Sequence, residues 1–168
     1  MKNFKTILLI AVFTLGLGGV ANAQKMGHID FEKLVAEMPE TKKLGLDMEK
    51  LGKTYQDEVE GMAKKLDAKM KKYTQEQNTQ TKEINEIRAK EVQQENARYE
   101  QLRQTAYQDM QKKKAEGLQP IIEKAQKAIQ DVAASKGILY VLDATVGKGL
   151  LVKKGEDLFA AVKAKLGF

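Results

Sequence analysis

Between Met62 and Glu116 the chain runs 55 residues without a single Gly or Pro. The interval is filled by Lys, Glu, Gln, Ala, Met and Leu, residues that lose little side-chain freedom in a helix. It holds either one very long helix or two long helices folded on each other, and it leaves no room for a sheet-based domain. Pro39-Glu40-Thr41 marks the start of the helical region, because Pro is tolerated in the first turn and an acidic side chain suits the positive end of the helix dipole.

Leu44, Met48, Leu51, Tyr55, Val59, Met62, Leu66, Met70 and Tyr73 follow one another at steps of three and four, and the pattern repeats every 11 residues. Such a period implies straight or slightly right-handed winding and disfavours an ordinary leucine zipper. The stripe fails at Gln77 and Thr81, inside the polar run Thr74 to Thr81. A turn with its tip near residues 75–82 is expected there, with a return helix through Ile84, Ile87, Val92, Tyr99, Leu102, Ala106 and Met110. Asn and Thr break helices only weakly, so propensity alone leaves one continuous helix as the alternative. Gly117 and Pro120 predict a kink or restart before the amphipathic segment Ile121 to Val132. Each arm of a hairpin would be about 55 Å long at 1.5 Å per residue.

The flanks have another character. Met26 to Asp30 and Ile138 to Asp143 read as short strands, the second an almost unbroken apolar run expected to be buried on both faces. Past the turn signal Gly147-Lys148-Gly149, Leu150-Leu151-Val152 supplies a third strand, and Glu156 to Leu166 a final helix with Leu158, Phe159, Val162 and Leu166 on one face. The fold class is therefore α+β, a small β-strand base carrying a long α-helical hairpin arm. Three strands cannot cover their own faces and edges, so self-association through the base is expected.

Lys2 and Lys5 precede the apolar run Ile7 to Val20 and then Ala21-Asn22-Ala23, the pattern of an export signal cut after Ala23. The run of 14 residues, with Thr14 and three glycines, falls short of a membrane span, which needs about 20 residues. The organisation reads as residues 1–23 signal peptide, 24–38 and 133–168 an α/β body, and 39–132 the helical hairpin arm. The mature segment is expected to be exported and soluble.

Without the signal, 27 Lys and Arg stand against 23 acidic residues, a balance too mild for nucleic-acid binding. The chain has no Cys, which removes disulfides, thiol catalysis and Cys-based zinc sites. His28 is the only histidine and has no base or orienting group beside it in sequence, so it reads as a strand residue. Gly147-Lys148-Gly149 lacks the spacing of a phosphate loop and reads as a β-turn. No enzymatic constellation, metal site or cofactor is expected.

Several stretches carry a family resemblance. They are Gly27-His28-Ile29-Asp30-Phe31-Glu32-Lys33-Leu34 before Met38-Pro39-Glu40-Thr41, Ala68-Lys69-Met70-Lys71-Lys72 before the tip, and Gly137-Ile138-Leu139-Tyr140-Val141-Leu142-Asp143-Ala144 at the close. With these in order along the whole mature chain, the sequence resembles the Skp/OmpH family of periplasmic chaperones. The resemblance implies a jellyfish-like homotrimer whose strands join in a central body and whose arms surround a cavity for unfolded outer-membrane β-barrel proteins. A basic cluster proposed on the family's arms to contact phosphate or lipopolysaccharide aligns with no particular Lys or Arg here and is not carried over.

Flexible Met side chains suit weak binding of many partners, which makes Met62, Met70, Tyr73 and Met110 the residues expected to touch clients. The same periodic positions fit the seam between the two helices of each arm. Charge is segregated along the outgoing arm: residues 28–60 carry five Lys against nine acidic residues, whereas Lys64, Lys65, Lys69, Lys71 and Lys72 face only Asp67. That basic zone suits electrostatic capture of acidic clients, anionic lipid or lipopolysaccharide, and equally an ordinary solvated helix face. Ile138, Tyr140 and Leu142 are the residues expected at the trimer interface. The function expected is an ATP-independent holdase that prevents aggregation; the alternative is a periplasmic coiled-coil structural spacer or envelope tether, which would need one continuous helix where a holdase needs a hairpin.

Overall fold

The computed structural model describes residues 25–168, so the expected signal peptide lies outside the described residues. Strand β1 (Met26–Ile29) leads into helix α1 (Phe31–Glu37) and then helix α2 (Pro39–Glu76). A single 3-10 turn (Gln77–Thr79) reverses the chain into helix α3 (Lys82–Ser135), followed by β2 (Tyr140–Asp143), β3 (Glu156–Asp157) and helix α4 (Phe159–Leu166). The hairpin reading holds. At 38 and 54 residues, α2 and α3 are about 57 and 81 Å long at 1.5 Å per residue.

Local chemistry fixes the hairpin ends. Pro39 occupies the first turn of α2, where its missing N–H costs nothing. At the tip, Asn85 Nδ2 donates to the Gln77 carbonyl at 2.9 Å, and the Thr81 hydroxyl caps α3 by accepting from the Ile84 N–H at 3.3 Å. The short α1 was not anticipated, though its signal is present. Asp30 accepts from the Lys33 N–H at 2.9 Å as the cap, and the apolar side of the helix is carried by Phe31, Leu34 and Val35.

The helix does not restart at Gly117 and Pro120, since α3 runs on to Ser135 with Pro120 inside it. Packing on both sides of the proline overrides propensity. Leu44 seats against Gly117, where an added Cβ would lie 2.4 Å from its Cδ1, and Ile121 is buried in the base. The last turns of α3 thus belong to the core, which gathers Ile29, Leu34, Met38, Ile121, Ala125, Ala128, Val132, Ile138, Leu158 and Val162. The alanines leave room for α3 to lie close to α1 and α4.

The sheet has the order β2-β1-β3, with β1 parallel to both neighbours. Parallel strands need a crossover, and between β1 and β2 that crossover is the whole arm. Two sequence readings are corrected here. The third strand is Glu156–Asp157, while Leu150 to Val152 lies outside the sheet. The chain must travel from β2 at one edge to β3 at the other, and Leu150 and Val152 lie on this path, around a shallow cavity shared with Met26, His28 and Leu142. Gly155 then passes so close to the Met26 carbonyl that a Cβ there would lie 2.6 Å from its oxygen. Nor is the Ile138 to Asp143 run buried on both faces. It becomes a strand only at Tyr140, at an edge, with Tyr140 and Leu142 exposed at 56% and 39%. The buried strand is the central β1.

Candidate functional site

The proximal seam of the arm is apolar. Leu44, Met48, Leu51, Tyr55, Val59 and Met62 are half-buried and Leu66 is buried, as the stripe requires. From α3, Tyr99 and Leu102 are half-buried and Ala106 buried, while Met110 reaches Gly52. Tyr55 donates to Asp109 at 2.9 Å, which satisfies its hydroxyl.

Beyond Leu66 the stripe changes phase. The next inward residues are Lys69 and Tyr73, and Met70 turns out to solvent at 49% exposure. Lys69 bridges the helices to Glu91 at 2.7 Å and to Glu95. Tyr73 donates to the other Glu91 oxygen at 2.6 Å. The Arg88 guanidinium lies over the Tyr73 ring, 4.5 Å from its centroid, and donates to Glu76 at 2.6 Å. These partners hold the Glu91 carboxyl below the usual carboxylate range, through the Lys69 hydrogen bond first and that of Tyr73 second, and the Lys69 ammonium is raised by its two glutamates. One Arg88 nitrogen, Nη1, is buried without a partner.

The return stripe is rotated in the same way. Ile84 and Ile87 are exposed at 39% and 65%, while Asn85 and Arg88 take the half-buried positions. The distal arm thus places charge in the seam beside Tyr73 and Val92, and leaves Met70, Ile84 and Ile87 outside. A groove of about 360 Å³ runs along one side, bounded by Met70, Tyr73, Thr74 and Gln77 of α2 with Asn85, Arg88, Ala89 and Val92 of α3.

The residues singled out in the sequence therefore separate. Met62, Tyr73 and Met110 sit half-buried in the seam, whereas Met70 stands outside it. Of the five lysines, Lys64 pairs with Glu60 at 2.5 Å and Lys71 with Asp67 at 2.7 Å, each along its own helix, and Lys69 is the bridge to α3. Lys65 and Lys72 are exposed and have no acidic partner among the described residues. Ile138 is buried inside the chain's own base, while Tyr140 and Leu142 face outward. An open groove of about 710 Å³ and mixed polarity follows β2, lined in part by Phe31, Ile129, Val141 and Leu142 and by Gln126 and Gln130. Met26, Leu151 and Val152, which the sequence reading passed over as surface, are exposed at 46%, 95% and 63%.

Sequence reasoning also missed Ile84 and Ile87 as outward residues, and Arg88 and Glu91 as seam residues. The signal lay in complementary charge about the turn, since Lys69 on one side faces Glu91 and Glu95 on the other.

The comparisons with known proteins fit this architecture. Residues 25–166 match the family model described as outer membrane protein (OmpH-like). Among solved structures, the chain is similar to an outer membrane chaperone (OmpH-like) from Caulobacter crescentus CB15, with a TM-score of 0.74 and 17% identity, over 88% of this chain and 86% of that one. No curated protein sequence matches. With the family model spanning nearly all the described residues and the arm-and-base fold shared with an OmpH-like structure, this chain belongs to the Skp/OmpH family.

Proposed function

We propose that the chain is an ATP-independent holdase that binds unfolded outer-membrane β-barrel proteins in the periplasm and prevents their aggregation. Membership of an outer-membrane protein family and likeness to a structure described as an outer membrane chaperone support the general role. The observation that carries the finer reading is the distal arm, where Met70, Ile84 and Ile87 are exposed around a polar seam at the end farthest from the core. Dispersed, flexible apolar side chains suit weak contact with many sequences. Hairpin arms returning to a trimeric base would enclose a volume between them, which a spacer built from one continuous helix would not.

The base is the trimerisation body in this reading, formed by residues 24–38 and 133–168, with residues 39–132 as the arm and residues 1–23 as a cleaved signal. Met26, Tyr140, Leu142, Leu151 and Val152 leave apolar surface that the single chain does not cover. Three copies brought together would cover it and remove the open edge of β2. Lys65 and Lys72, exposed and without an acidic partner among the described residues, are the better electrostatic capture residues, for acidic clients or for anionic lipid and lipopolysaccharide.

The test is dilution of a urea-unfolded β-barrel protein into the mature chain without nucleotide, followed by light scattering. The chain should suppress scattering, and the combined Met70→Ser, Ile84→Ser and Ile87→Ser variant should lose most of that capacity while keeping its helical circular dichroism. Unchanged suppression by the variant would exclude the distal arm as the binding surface.

A further inference from the structure

We infer that the polar seam of the distal arm is a clasp, and that its opening adds Leu66, Tyr73 and Val92 to the surface offered to an unfolded polypeptide. The inference rests on the holdase reading and deepens it, because it names a second, normally closed surface at the same site.

The two parts of the seam are held by different forces. Proximal closure buries Leu, Met and Val side chains, and that term is indifferent to salt. Distal closure rests on Lys69 with Glu91 and Glu95, Tyr73 with Glu91, and Arg88 with Glu76. These side chains keep between about a fifth and two fifths of their surface exposed, at 27% and 42% for Lys69 and Glu91 and 18% and 36% for Arg88 and Glu76. Ion pairs at such positions contribute little each and weaken as salt screens them. The buried Arg88 Nη1 without a partner weakens closure further. The distal arm is therefore the part of the hairpin that opens at least cost.

What the clasp hides is apolar. Leu66 is 8% exposed, and Tyr73 and Val92 are half-buried. They lie at the same end of the arm as Met70, Ile84 and Ile87, so opening joins inner and outer apolar positions into one larger surface. An extended apolar segment that enters there replaces the contacts the two helices give up. Closed, the same surface is withdrawn from water and from nonspecific association.

The test uses the absence of Cys from the chain. Thr74 and Ala89 line the same groove from opposite helices, and neither takes part in the ion pairs. The Thr74→Cys, Ala89→Cys variant is bridged with a short reducible bis-thiosulfonate. Ala89→Cys capped with a monofunctional thiosulfonate of similar size controls for filling the groove. Amide exchange is read without client, at low salt and at about 0.5 M salt.

Exchange across residues 66–95 should quicken roughly tenfold at high salt in the unbridged protein. The base should be unaffected, and the bridge should abolish the effect. Salt-independent exchange across the distal seam would overturn the clasp whether or not the protein holds clients. With an unfolded β-barrel protein present, the bridged form should lose capacity that returns on reduction, while the capped control keeps it. Equal capacity bridged and reduced would overturn the link between opening and binding. Failure of the reduced, unbridged protein to suppress aggregation would instead remove the holdase reading, and the exchange data would still decide the clasp.

Discussion

Asp143 shows how a single side chain ties the base together. Its Oδ1 accepts from the Thr145 hydroxyl at 2.6 Å and the Thr145 N–H at 3.0 Å, and the same Thr145 oxygen accepts from the Glu32 N–H at 3.2 Å, so the end of β2 is fastened to the start of α1. Burial raises the Asp143 carboxyl, but the hydrogen bonds from Thr145 and Phe31 and the charge of Lys148 outweigh it and hold the group below its ordinary range. A depressed carboxylate stabilises the fold above its unfolded pKa, and the contribution is lost as pH falls through the folded value. Asp143→Asn should therefore cost about 1–2 kcal/mol in urea unfolding at pH 7, with the difference from the parent shrinking below about pH 4. Gly155→Ala tests a different term. Its Cβ would meet the Met26 backbone oxygen at 2.6 Å, and backbone cannot swing aside as a side chain can, so a loss of about 1–3 kcal/mol in thermal or urea unfolding is expected. Neither residue announced itself in the sequence, because both matter through partners more than a hundred positions away.

At the scale of the element, the arm was the most legible part of the chain. The Gly- and Pro-free interval, the 11-residue stripe and its failure at the tip located both helices and the turn. The proximal stripe is inward as periodicity requires, since apolar burial dominates there. Legibility ended at Lys69 and Met70, where the 11-residue continuation demanded Met inside and the structure places Lys. Hydrophobic periodicity alone cannot register a seam closed by charge across the turn. The helix continues past Pro120 instead of restarting for a related reason, because one lost backbone N–H is outweighed by packing at Leu44 and Ile121 that sequence does not display. The third strand was misplaced because Leu150 to Val152 has strand composition but must cross to the far side of the sheet. A prediction belongs to this scale. Lys69→Gln should speed amide exchange in the distal halves of α2 and α3 by roughly two- to fivefold while leaving the base unchanged. Acid should lower the protection factors of the same amides in the parent protein, measured against the intrinsic exchange rate at each pH, since the depressed Glu91 carboxylate stops contributing as pH falls through its folded value.

For the whole molecule, the proposed function assigns assembly to the base and binding to the arm. Assembly, as proposed, uses the uncovered sheet face, so Leu142→Glu should dissociate the trimer in sedimentation while leaving the arm helical. Capture, as proposed, begins electrostatically. Replacing Lys65 and Lys72 by Gln should slow client association at low salt, with the difference vanishing as the Debye length falls below about 10 Å. The most direct measurement is native mass spectrometry of the mature chain, alone and mixed with an unfolded outer-membrane β-barrel protein in the absence of nucleotide. The protein alone should show the mass of three chains, and the mixture that of three chains with one client. A mass of one chain, or a trimer that carries no client, would contradict the proposed function.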